Sequence, residues 1–203
     1  MSIDGKSVAF LVAKEGIEQA ELTEPWSAVE SAGGRPRLVS VEPGTVRAFR
    51  HLDPADTFRV DETAAKADPT AYSALVLPGG VANGDLLRWQ DPARDFVRGF
   101  AATGRPLAVI CHGGWILIDA DLVRGRHITS WPSLATDYRN AGATRSWSST
   151  TRARSRSSAA ASRPTCRPSA ASCSPSSTRY ECPLGRMLCH GPGAPSGSAS
   201  TST

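Results

Sequence analysis

Hydrophobic and polar positions alternate along this chain in two distinct rhythms. Residues 7–13 (SVAFLVA) form an unbroken apolar run of β-rich composition, the pattern of a strand covered on both faces. From 17 to 32 apolar residues recur at helical spacing (Ile17, Ala20, Leu22, Trp26, Val29), and Gly33–Gly34 stops the run. Residues 35–41 (RPRLVSV) predict a second strand. The polar, turn-rich stretch 42–68 fits a small hairpin. Residues 72–80 (YSALVLPGG) read as a third strand ending in Pro-Gly-Gly. Asp91 and Pro92 then open a helix with Phe96, Val97 and Phe100 on its apolar face, closed by Gly104. RPLAVIC is a fourth strand and GGWILIDADLV a helix; GRHITS predicts a strand and SLATDYRNAG a short helix ending at Gly142. Strands alternating with helices imply an α/β fold with a mostly parallel sheet and helices on both faces.

After Thr144 both rhythms stop. Ser, Arg, Ala and Pro dominate and aliphatic residues are scarce, so the segment lacks the apolar surface to offset the entropy of ordering it. The reading is one domain over 1–144 and a low-complexity, disordered tail over 145–203. Charge divides at the same place. The net +4 of the chain combines about −3 before residue 145 with +7 after it, where eight Arg face one acid, Glu181. A mildly acidic body gives no reason to expect nucleic acid as a partner. No run approaches the roughly 20 apolar residues of a membrane span, and the N-terminus lacks a signal-peptide pattern; the expectation is a cytoplasmic protein without membrane partners.

Candidate chemistry centres on LAVICHGGWILI, where an apolar run ends on Cys111 and the next begins with no room for a loop. In an open parallel sheet, ligands sit beyond the carboxyl ends of the strands. A residue at a strand–turn–helix junction projects into that crevice in the manner of a nucleophile elbow. The following helix aims its N-terminal N–H groups at the sulfur, which predicts a lowered thiol pKa. Gly79 and Gly80 end the neighbouring strand, and their N–H groups with that of His112 are candidates for an oxyanion site. Glu15 and Glu18 flank the end of the first strand, and either is a candidate partner for Cys111. Glu18, at the start of the predicted helix, is favoured. His112 reaches the sulfur only if the turn brings its ring round.

EGIEQAEL, ALVLPGG and GRPLAVICHGGWILIDADLVRGRHITSWPSLATDYRNAGA, in this order and spacing, resemble the DJ-1/PfpI superfamily, in particular its intracellular-protease and stress-protein branch. The resemblance covers about residues 7–144. Many members carry Pro where Gly114 stands. It implies a flavodoxin-like sandwich with Cys111 as nucleophile, Glu18 as the characteristic glutamate, His112 as the histidine of the turn, and Gly79 and Gly80 at the oxyanion. It further implies a homo-oligomer in which an acid from a neighbouring subunit completes the site, Asp85 being nearest in sequence. The activities it implies are peptidase, glyoxalase and deglycase, all begun by thiolate attack on an electrophilic carbonyl of a small or peptide substrate, with no cofactor and no metal. The alternative is a non-enzymatic redox sensor or chaperone-like protein that uses the same thiol. A glutaminase is disfavoured because no His-x-Glu pair follows Cys111. In the tail, the spacing of Cys182, Cys189 and His190 matches no standard zinc motif.

The tail departs from the family altogether. Read one base earlier through permitted codons, residues 165–177 yield DLPAFCRELLAEF and WSSTT yields VVVDD, two elements the family supplies there in that order. The resemblance thus points to a frame slip from about Arg145, which resequencing the gene together with an intact-mass measurement tests.

Overall fold

The computed structural model describes residues 3–145 and 151–153. The first strand, β1 (Ser7–Val12), lies at the centre of the main sheet. After it the chain makes a short strand β2 (Glu15–Glu18) and then helix α1 (Gln19–Ser31). β3 (Arg35–Ser40) returns parallel to β1. The polar stretch that predicted a hairpin is one: β4 (Thr45–Arg50) pairs antiparallel with β5 (Asp53–Arg59), and β2 joins β4 to make a separate three-stranded sheet. A two-residue strand, β6 (Glu62–Thr63), closes one edge of the main sheet beside β3.

β7 (Ala74–Leu77) and β8 (Leu107–Val109) extend the main sheet on the other side of β1, both parallel to it. Between them lie α2 (Val81–Arg88) and α3 (Asp91–Ala102). A 3-10 turn over Cys111–Gly114 leads into α4 (Trp115–Asp119). β9 (His127–Ile128), α5 (Ala135–Asn140) and β10 (Thr144–Arg145) follow, with β10 parallel to β9. One further strand, β11 (Thr151–Ala153), pairs antiparallel with β8, giving the sheet order β11-β8-β7-β1-β3-β6. The sequence reading gave no element after Thr144, yet the outer edge of β8 is paired by one. The rest of the predicted disordered tail lies outside the described residues.

The period of two along β1 sorts the core. Val8, Phe10 and Val12 pack on one face with Leu22 and Val29 of α1, Val46 of β4 and Val60. Ala9, Leu11 and Ala13 pack on the other with Leu87 of α2, Phe96, Val97 and Phe100 of α3, and Ile116 and Leu117 of α4. Both sets are buried, which is why the run is apolar without alternation. Each fully buried side chain such as Phe10 or Leu11 contributes about 1.5–3 kcal/mol relative to exposure. The result is the expected α/β sandwich with helices on both faces of a mostly parallel sheet.

Candidate functional site

The carboxyl ends of β1, β7 and β8 open onto one crevice, and three turns meet there. The backbone of Cys111 has φ +49°, a left-handed conformation rare for a residue with a side chain, and this sharp reversal sets the half-buried thiol at the crevice. The same reversal answers the question about His112. Its Nδ1 lies 3.1 Å from Cys111 Sγ although the two residues are adjacent. The ring is buried between aromatic neighbours, Trp115 edge-on at 5.1 Å and Trp131 tilted at 6.0 Å, and its Nε2 lies 3.3 Å from Ser133 Oγ. Burial holds the imidazole below its ordinary pKa, so it is neutral near pH 7.

The carboxyl at the sulfur is Glu21, not Glu18. Glu18 closes β2, and its backbone N–H bonds the Gly79 carbonyl at 3.3 Å. Its Oε2 accepts from the His51 N–H at 3.0 Å. Three residues on, inside the first turn of α1, Glu21 turns back over the crevice. Its Oε2 accepts from the Gly79 N–H at 2.8 Å and its carboxyl hydrogen-bonds the thiol. Glu15, the other sequence candidate, is exposed. The apolar spacing predicts a helix from Ile17, but the helix starts at Gln19, so Glu18 ends a strand and Glu21 takes the first turn.

The thiol's acidity also corrects an expectation. The element after Cys111 is a 3-10 turn and then a helix of five residues, a weak source of dipole. Burial first, then the negative charge of Glu21, push the Cys111 thiol up to about 11, against the opposing pull of the His112 and Gly80 N–H groups. Glu21 is itself raised to about 7, chiefly by burial and with a contribution from Glu18, although the Gly79 N–H favours its charged form. The pair therefore titrates as a unit, losing one proton near neutrality and the second only in strong base.

The two glycines of LPGG divide their work. The N–H of Gly79 is taken by Glu21, so it is not a free oxyanion donor. The N–H groups of Gly80 and His112 both point at the sulfur. Position 79 has no room for a side chain, since a Cβ there would strike Glu21 Oε2 and Cys111 Cβ. Gly80 takes φ +93° against the Gly16 carbonyl. Asn83, buried in α2, pins this turn. Its Oδ1 accepts from Ala13 N–H at 2.8 Å, and its Nδ2 donates to the carbonyls of Pro78 at 2.9 Å and Gly79 at 3.1 Å. Sequence reasoning passed over Asn83 because GGVANGDLLR reads as a loop. Asp85, on the same helix, faces outward and is exposed. Among the described residues, no group of three or more His, Cys, Asp or Glu is arranged to hold a metal, and no helix is long and apolar enough to cross a membrane.

An α/β sandwich with a half-buried cysteine on the turn after a central parallel strand defines a recognisable class of protein. The family model for DJ-1/PfpI matches residues 6–164, and the chain belongs to that family. It is 38% identical over 135 residues to a deglycase of Pyrococcus horikoshii, covering 66% of this chain and 78% of the relative. It is 35% identical over 138 residues to YraA of Bacillus subtilis, whose name proposes a cysteine protease, with 68% and 79% covered. Among solved structures, a two-domain protein of Anabaena variabilis containing DJ-1/ThiJ/PfpI-like and ferritin-like domains superposes with TM-score 0.64 at 28% identity. That match covers 69% of this chain and 39% of the longer one.

Proposed function

We propose that the chain is a cysteine-dependent enzyme of the deglycase, glyoxalase or peptidase kind, with Cys111 as the nucleophile that adds to an electrophilic carbonyl. The observation that carries this reading is the convergence on one sulfur of a carboxyl, Glu21, and an imidazole, His112, at a strained turn. A thiol raised to about 11 is protonated at neutral pH, so the attack needs a base in contact with it. His112 Nδ1 takes the Sγ proton as the sulfur–carbon bond forms. The carbonyl π pair moves to oxygen, where the N–H groups of Gly80 and His112 receive the charge. The imidazolium then returns the proton to that oxygen, leaving a neutral thiohemiacetal. Glu21, poised near neutrality and hydrogen-bonded to the same sulfur, takes the place assigned to Glu18 as the second proton shuttle. The names of the deglycase and protease relatives support this class of chemistry. Asp85, exposed on α2, keeps the inter-subunit role the resemblance implies, which requires a homo-oligomer.

Steady-state turnover of methylglyoxal and of a fluorogenic peptide by wild type and Cys111→Ala tests the proposal. The expected result is a loss of at least about 10³-fold on the productive substrate. Equal rates for the two proteins overturn it. The redox-sensor alternative draws less support, because a thiol raised by burial presents little thiolate to an oxidant.

A further inference from the structure

The contact between His112 and Ser133 lies outside every role given so far. Three polar atoms follow one another across the ring: Sγ of Cys111 at 3.1 Å from Nδ1, and Oγ of Ser133 at 3.3 Å from Nε2. A neutral imidazole carries one proton, and the partner of one nitrogen decides which face of the ring is basic. Ser133 occupies a 3-10 turn, Pro132–Leu134, whose freedom is cut by Pro132 and which is anchored by the fully buried Leu134. The ring itself is held by Trp115, whose indole Nε1 donates to Asp137 Oδ2 at 2.9 Å, and by Trp131 on the same turn as Ser133. Neither indole offers His112 a hydrogen-bond acceptor.

We propose that Ser133 is a positioning residue that accepts the Nε2–H of His112 and so keeps Nδ1 unprotonated towards the sulfur. The assignment rests on the proposed role of Cys111 and His112 and adds to it how the base is set. With Nε2–H given to Ser133, the thiol hydrogen faces a bare Nδ1. When that proton transfers, the imidazolium keeps its Nε2–H bond to Ser133 Oγ, and no atom has to move. Without the hydroxyl, the ring is free to carry its proton on Nδ1, where it opposes the S–H and cannot act as a base.

Long-range ¹⁵N–¹H correlation spectra of the full chain read the tautomer directly, with the His112→Gln variant assigning the resonance. Wild type is expected as the Nε2–H form. Ser133→Ala is expected as a mixture with the Nδ1–H form, with kcat lowered about tenfold and KM within about twofold; Ser133→Thr is expected to restore both. Unchanged nitrogen shifts in Ser133→Ala overturn the proposal whatever the rate does, as does a failure of Ser133→Thr to restore the tautomer. So does a tautomer change produced by Asp85→Asn instead, which makes the acid of a second copy the partner of Nε2. Full turnover by Cys111→Ala removes the proposed function and leaves this spectroscopic test standing, so the two failures are told apart.

Discussion

Glu18 at the end of β2 and Glu21 in the first turn of α1 stand three residues apart and occupy opposite electrostatic settings. Glu18, partly buried, meets a backbone N–H and an exposed imidazole, both of His51, at the hairpin turn. Glu21 lies under the Pro-Gly-Gly turn with one N–H donor and a thiol, and it is raised to about 7. The same carboxyl group caps a backbone N–H in one region and sits against a thiol as a neutral-pH proton carrier in the other. The difference comes from the strand-to-helix switch between them, which rotates successive side chains to different faces.

The sharpest way to break this comparison is to neutralise each acid in turn. Glu21→Gln is expected to lower kcat/KM about a hundredfold, and Glu18→Gln to change it by less than about twofold, both read on the substrate that wild type turns over. Equal losses would erase the distinction. Next in size is the turn that gives Glu21 its donor. Asn83→Ala leaves the Ala13 N–H and two carbonyls unpaired in the core and is expected to cost about 2–3 kcal/mol in urea unfolding.

Stability as a function of pH separates the two acids more finely. Because Glu21 is raised from 4.5 to about 7 on folding, the native state holds more proton than the unfolded chain across that window. The stability contributed by this group is therefore greatest below the window and is lost as pH rises through it. Thermal midpoints taken at about pH 5 and about pH 7.5 are expected to show this decline in wild type and Glu18→Gln, and a flatter profile in Glu21→Gln. The smallest effect concerns the sulfur. In Glu21→Gln the thiolate absorbance of Cys111 is expected to titrate below about 11 yet above an ordinary thiol, because burial, the larger cause, remains.

The strands of the main sheet were legible because runs such as SVAFLVA and ALVL are buried on both faces, a condition that leaves a plain apolar signature. The cysteine turn was legible for the opposite reason, since two apolar runs with no loop between them leave the chain only a sharp reversal. α2 was not legible. GGVANGDLLR reads as a loop, and the helix draws its support from tertiary partners, with Asn83 bonding β1 and the turn, and Gly84 packed on the His112 carbonyl. β2 hid inside a helical spacing because Ile17 is buried by strand pairing while Leu22 is buried by the helix. The acidity of Cys111 was misjudged because a local rule about helix ends ignored the desolvation and the neighbouring carboxyl that only the folded crevice supplies.

The glycine two residues beyond His112 carries a separate lesson. A methyl carbon at position 114 would overlap the hydroxyl of Tyr138, which reaches across from α5 and fills that space. Bulk at 114 and the phenol of Tyr138 thus compete for one volume. A larger residue on the turn therefore requires the phenol to swing away or a smaller side chain at 138.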